Sequence, residues 1–252
     1  MSSSGFAVSA NRRFTRLCRL LGLHRIASGV VVLLCSLALF VSLGTAQVQE
    51  RPSGMSGQKE AGGQLLNSLQ AKQLDQAISL GRQAVARWPQ NANFHHWLGI
   101  AYFQSGRNAE ALEQLGQAAT LRPGDYDIHF DTALVHLQEQ QYAAAAEQLQ
   151  KALRSRPDQP LAHLLLGRAC QNTNRSLEAI EQFKTALRLK PDIELGHYHL
   201  GYAYASLGRD QEAIAEYKKE AKMKDAAGEY ASGQIDILQK HLDTAKSLKS
   251  GK

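Results

Sequence analysis

Residues 92–125 read ANFHHWLGIAYFQSGRNAEALEQLGQAATLRPGD, and residues 160–193 read PLAHLLLGRACQNTNRSLEAIEQFKTALRLKPDI. The two stretches share a beat that runs through the middle of the chain. Pro89, Pro123, Pro157 and Pro191 stand 34 residues apart. When each unit is counted as ending two residues after its proline, position 20 holds Ala77, Ala111, Ala145, Ala179 and Ala213. Position 27 holds Ala84, Ala118, Ala152 and Ala186, and Glu220 breaks the column. Positions 7 and 8 hold Leu98-Gly99, Thr132-Ala133, Leu166-Gly167 and Leu200-Gly201, and position 11 holds Tyr102, His136, Cys170 and Tyr204. A fixed period of this length marks a supersecondary unit that cannot bury its apolar face alone and stacks on copies of itself.

The spacing within a unit is helical. Residues three and four apart share a helix face, which puts positions 4, 7, 8 and 11 on one face of a first helix and positions 20, 24 and 27 on one face of a second. Small residues at 8, 20 and 27 let the two backbones approach, and Leu115, Leu149, Phe183 and Tyr217 at position 24 fill the space between them. Replacing Ala145 by Leu is therefore expected to cost roughly 1–3 kcal/mol by overpacking. Gly106 and Gly208 at position 15 suit the turn between paired helices, and Asn174 tolerates the same left-handed conformation. Each proline disfavours helix at the residue before it and closes the second helix.

With these columns in register, the chain resembles the tetratricopeptide repeat family, whose 34-residue units are helix-turn-helix pairs. Trp97-Leu98-Gly99-Ile100-Ala101-Tyr102 and Gly208-Arg209-Asp210-Gln211-Glu212-Ala213-Ile214 carry the signature residues. The resemblance implies an all-α, right-handed superhelical solenoid of about five units, 58–91, 92–125, 126–159, 160–193 and 194–227. The family serves mainly as protein-interaction scaffolds, and a fold by itself licenses no more than that.

Residues 1–46 carry Arg12, Arg13, Arg16, Arg19 and Arg25, no lysine and no acid, ahead of an apolar run from Ile26 to Leu43. This is the pattern of an export signal. As a helix the run spans roughly 27 Å, close to a hydrocarbon core of about 30 Å, so length does not separate a cleaved signal peptide from a signal anchor. Gly44-Thr45-Ala46 before Gln47 offers small residues for cleavage. In either case the arginines hold the N-terminus in the cytoplasm and the repeats outside it. Phe14 directly after Arg12-Arg13 argues against a twin-arginine signal. Cys35 behind Leu33-Leu34 lacks the small residue that a lipidation site needs.

The basic balance belongs to this leader. The chain has 29 Lys and Arg against 23 Asp and Glu, and removal of the five leader arginines leaves 24 against 23. Nucleic-acid binding, which needs a clustered basic surface, loses its support. Cys18 and Cys35 also lie in the leader, so Cys170 stands alone in the remainder and stability must come from stacking. Residues 47–57 are rich in Gly, Ser and Pro and read as a flexible tether. The first unit is degenerate, with Gly62-Gly63 near its start. After the last unit, Ile235, Leu238, Leu242 and Ala245 recur at three and four, predicting an amphipathic helix over about 230–248 that caps the stack within 228–252.

No metalloprotease, phosphate-loop or nucleophile-elbow motif is present, so the sequence offers no catalytic residue, no cofactor and no metal site. Ser56-Gly57-Gln58-Lys59 has a serine-acylase spacing without its partner motifs. His95, His129, His163 and His197 all occupy position 4 of their units. Zinc needs ligands about 2 Å from one centre, whereas equivalent positions in stacked helices lie roughly 8–10 Å apart, so the column reads as packing. The resemblance places aromatic packing residues there.

It also implies that positions 2, 5, 9 and 12 of each first helix line a concave groove. The candidates for partner binding are His96, Ile100, Phe103, Phe130, Leu134, Leu137, Leu164, Arg168, Tyr198 and Tyr202. Relatives that clamp a terminal carboxylate use asparagine at position 9 with flanking lysines. Here position 9 is Ile100, Leu134, Arg168 and Tyr202, which points to an apolar peptide instead. The expectation is a non-enzymatic, exported scaffold or adaptor for a protein partner, periplasmic or secreted. The alternative is a membrane-anchored accessory subunit of an envelope enzyme or biogenesis complex.

Overall fold

The computed structural model describes residues 54–223 and 226–250. The chain divides into two compact units at Gly57 and Gln58. Of the first, only residues 54–57 are described, as the opening turn of a helix, so those four residues of the expected tether are helical. The leader lies outside the described residues. Everything below concerns the second unit.

That unit is a right-handed superhelical solenoid of helix pairs, with no strand among the described residues. The helices are α1 (Gly54–Gln70), α2 (Leu74–Arg87), α3 (Ala92–Gln104), α4 (Asn108–Leu121), α5 (Tyr126–Gln138), α6 (Tyr142–Ser155), α7 (Pro160–Asn172), α8 (Ser176–Leu189), α9 (Gly196–Ser206), α10 (Asp210–Glu220) and α11 (Ala226–Ser250), with a 3-10 turn at Ala221–Met223. From α2 to α11 each helix packs on the next.

The turn inside every unit has one geometry whatever residue occupies it. Position 15 is Lys72, Gly106, Gln140, Asn174 and Gly208, and all five have φ between 54° and 78°. In each unit the N–H of position 16 donates to the carbonyl of position 11, as Arg107 does to Tyr102 at 2.9 Å and Gln141 to His136 at 2.8 Å. This is the Schellman closure, which satisfies carbonyls left open at a helix end. Glycine and asparagine are legible markers of it; Lys72 and Gln140 adopt the same conformation with the same closing bond inside their own units.

Close approach of the paired helices explains the small-residue columns. A methyl group on Gly99 would lie 2.8 Å from Leu115, and one on Gly167 would lie 2.5 Å from Phe183. One on Gly201 would lie 2.9 Å from Tyr217. Position 8 thus makes room for position 24, most tightly where Phe183 is the filler. The alanines of position 20 are all fully buried, Ala145 among them.

The last unit departs from this scheme. Its first helix starts two residues late, after Leu195 at φ 60°, and Leu195 supplies no side-chain cap. The second and third units open on Asn91 and Asp125, whose side chains accept from Asn93 N–H and Asp127 N–H at 3.0 Å. In the last unit an acceptor comes from a distance. Buried Glu220, at the position held elsewhere by alanine, uses Oε2 to accept from Tyr198 N–H at 3.0 Å. A carboxylate at a helix N-terminus meets both open N–H groups and the positive end of the dipole. Helix α11 then covers the end of the stack, burying Ala231 and Leu238 and packing Ile235 and Leu242 on the core.

Candidate functional site

The histidine column is a set of polar staples, not aromatic packing. In three successive units the Nδ1 of His95, His129 and His163 faces Gln114, Gln148 and Gln182 at 2.7–2.9 Å. Their Nε2 atoms face the carbonyls of Pro89, Pro123 and Pro157 at 2.7–2.9 Å. Each ring therefore ties a first helix to its own second helix and to the proline loop of the unit before. The proline carbonyl can accept from Nε2–H; the glutamine atom facing Nδ1 is Oε1, itself an acceptor, so a ring with its proton on Nε2 is satisfied only with that amide turned to donate. In the last unit the partner is Glu216, 2.7 Å from His197 Nδ1, and a carboxylate acceptor requires the proton on that nitrogen. Burial raises the Glu216 carboxyl, but hydrogen bonds from His197 and Lys219 outweigh it and hold the group below its ordinary value. Among the described residues no three His, Cys, Asp or Glu side chains gather as a metal site would.

The face expected to bind a partner is formed by first helices that touch their successors, α3 with α5 and α7 with α9. The candidates on it differ in availability. His96 and Leu164 are buried and cannot themselves line an open surface. The His96 ring is held by Asp131 in the next unit, Nε2 to Oδ2 at 2.6 Å. Ile100, Phe103, Phe130, Leu134, Leu137 and Tyr198 are half-buried. Phe130 stacks on Tyr126 with ring centres 5.4 Å apart. Arg168 is exposed, and Tyr202 keeps 49 % of its surface in solvent. Position 9 thus forms a row of Ile100, Leu134, Arg168 and Tyr202 that runs from half-buried aliphatic to exposed aromatic.

At the C-terminal end of the row the structure adds a residue that the repeat pattern does not flag. Tyr230 on α11 meets Tyr198 edge to face at 5.5 Å, so the capping helix covers part of the expected groove. Burial, then the neighbouring Tyr230, pushes the Tyr198 phenol up to about 12. His199 stacks on Phe183 and is held down to about 4 by burial and by the charge of Arg168. Cys170 is buried and donates to Glu178 at 3.3 Å; burial and that bond push the thiol up to about 12, leaving it without thiolate character at neutral pH.

Recesses open elsewhere on the surface. One of about 530 Å³ lies between Trp88, Pro89, Asn93 and Arg122, and one of about 360 Å³ between Arg82, Tyr102, Arg107 and Glu113. Both are open hollows beside loops and second helices and contain none of the groove candidates. No helix among the described residues is long and apolar enough to cross a membrane.

The same organisation is found in known proteins. Crystal structures of MamA match this fold: one from AMB-1 at 27% identity and TM-score 0.60, covering 70% of this chain and 92% of that one. Others come from MSR-1, at 23% identity and TM-score 0.59 over 73% and 97% of the two chains, and from Desulfovibrio magneticus RS-1, at 21% and 0.61 over 64% and 92%. The latter two, at lower identity, speak to the fold alone. No curated protein sequence matches the chain. Family profiles of the tetratricopeptide repeat match residues 68–135, 130–194 and 171–229. With matches that together run from residue 68 to 229, well over half its length, the chain belongs to the tetratricopeptide repeat family.

Proposed function

We propose that this protein is an exported, non-enzymatic scaffold that holds an apolar peptide segment of a partner protein along the first-helix face of its repeats. The observation that carries the reading is the in-register row Ile100, Leu134, Arg168 and Tyr202, flanked by half-buried Phe103 and Phe130. Aromatic and aliphatic surface aligned along a rigid face is what an interface anchor requires. The buried thiol and the internally bonded histidines supply no nucleophile or base on that face, which supports a binding role over a catalytic one. Export rests on the arginine-rich leader and its apolar run, and the repeats would then work outside the cytoplasm.

Phe130→Ala combined with Tyr202→Ala is expected to abolish partner capture from envelope extracts while circular dichroism keeps its helical signal. Unchanged capture would remove this face from the mechanism. N-terminal sequencing of the mature protein tests export separately, since a start at Gln47 marks a processed leader.

A further inference from the structure

Building on that reading of the groove, we propose that Arg168 seats an acidic side chain, so that the bound segment is a run of apolar residues around one aspartate or glutamate. Among positions 2, 5, 9 and 12 of the second to fifth units, Arg168 is the only lysine or arginine. Other charges on this face are already engaged. Asp127 accepts two hydrogen bonds from Arg156 at 3.1 Å, and Asp131 holds His96. Arg168 is exposed and forms no ion pair among the described residues.

Its surroundings favour a carboxylate over water. Leu134 and Tyr202 flank it at the equivalent positions of the adjacent units, and Leu161, two turns earlier on α7, keeps 50 % of its surface exposed. A guanidinium set among apolar and aromatic groups offers a planar fork that a carboxylate matches with two parallel hydrogen bonds. One turn beyond, Gln171 Nε2 is shielded from solvent and has no hydrogen-bond partner, an unused donor on the same helix face. The field of Arg168 also reaches His199 and, after burial, helps to keep that ring neutral. A seated carboxylate would cancel that field as well as the guanidinium charge.

The test is a selection of displayed random decapeptides on the immobilised full-length chain, followed by fluorescence anisotropy with acetylated, C-terminally amidated versions of the winners. The expected winners are apolar with a single acid. Changing that acid to its amide should weaken binding about tenfold, the usual worth of a hydrogen bond to a charged group. Arg168→Ala should bring the acidic peptide down to the affinity of the amide peptide and leave the amide peptide unchanged. Binding of the acidic peptide should also raise the His199 titration midpoint in NMR. Winners without an acid, equal weakening of both peptides by Arg168→Ala, or a requirement for a free C-terminal carboxylate would each overturn the proposal. Apolar winners that ignore Arg168 but are lost in the Phe130→Ala, Tyr202→Ala variant would overturn this inference and keep the groove; no winners at all would overturn both.

Discussion

The inner units and the last unit solve the same packing problem with different chemistry. In the second to fourth units, position 27 is alanine and position 4 is a histidine bonded to a glutamine and a proline carbonyl. In the last unit position 27 is buried Glu220, the histidine partner is Glu216, and a neutral, half-buried His199 stacks on Phe183 at the seam with the unit before. The inner units close position 27 with a methyl group and give the histidine uncharged partners. The end of the stack uses carboxylates instead, Glu216 on the histidine and Glu220 on the N-terminus of α9, and the contrast shows that an acid can take the alanine position where an open helix N-terminus lies within reach.

The sharpest way to break the contrast is to move the acid inward. Ala186→Glu places a carboxylate at the same register one unit earlier, where the first helix is already started by Pro160 and offers no comparable opening. An uncompensated buried charge costs about 3–5 kcal/mol, so urea unfolding should show a large loss of stability. An unchanged midpoint would mean that the column is not closed.

Acid should expose the difference next. His199 carries a folded-state pKa of about 4 against an ordinary 6.5, so its contribution is whole above pH 6.5 and is lost as pH falls toward about 4. The shift corresponds to roughly 3 kcal/mol at 1.4 kcal/mol per unit. Lowered Glu216 acts in the same direction, because its stabilisation is present above the ordinary carboxylate range and disappears as pH falls through its folded value. Hydrogen exchange across pH 7 to 4 should therefore open α9 to α11 before α3 to α6, and His199→Gln should flatten the dependence. Uniform loss of protection along the stack would refute the comparison.

A smaller effect separates glycines that look alike in sequence. Gly167→Ala drives a methyl into Phe183 and should cost about 1–3 kcal/mol. Gly116 lies in the interior of α4 with nothing within 4 Å of its missing methyl, and Gly116→Ala should gain about 0.5–1 kcal/mol. Thermal melts of the two variants moving in the same direction would contradict the close-approach account.

The smallest effect concerns the late start of α9. Leu195→Gly removes the left-handed penalty of a branched residue and should stabilise the last unit by about 1 kcal/mol. A loss instead would locate the unusual start in packing of the Leu195 side chain.

The expected site was legible before any coordinates from repeat register and family resemblance together. The period makes the residues at position 9 equivalent, and the resemblance to the tetratricopeptide repeat is what assigned that position to the groove. Burial of His96 and Leu164 was not legible, since the period says which residues are equivalent but not how tightly each neighbour covers them. Asp131 and Tyr230 escaped for the same reason. One lies at position 6, beside the candidate Phe130 at position 5, and the other sits on a helix beyond the last repeat.

Sequence by itself determined the unit length, the small-residue seams and the five helix pairs, because size and spacing decide which faces can be buried together. Only the tertiary structure decided that lysine and glutamine take the same left-handed turn as glycine, that the histidines are bonded to the unit before, and that Glu220 starts a helix it does not belong to. Those features depend on which carbonyls and N–H groups packing brings within reach, inside the unit for the turns and Glu220 and in the unit before for the histidines, and that geometry is set by the folded helices, not by the order of residues along them.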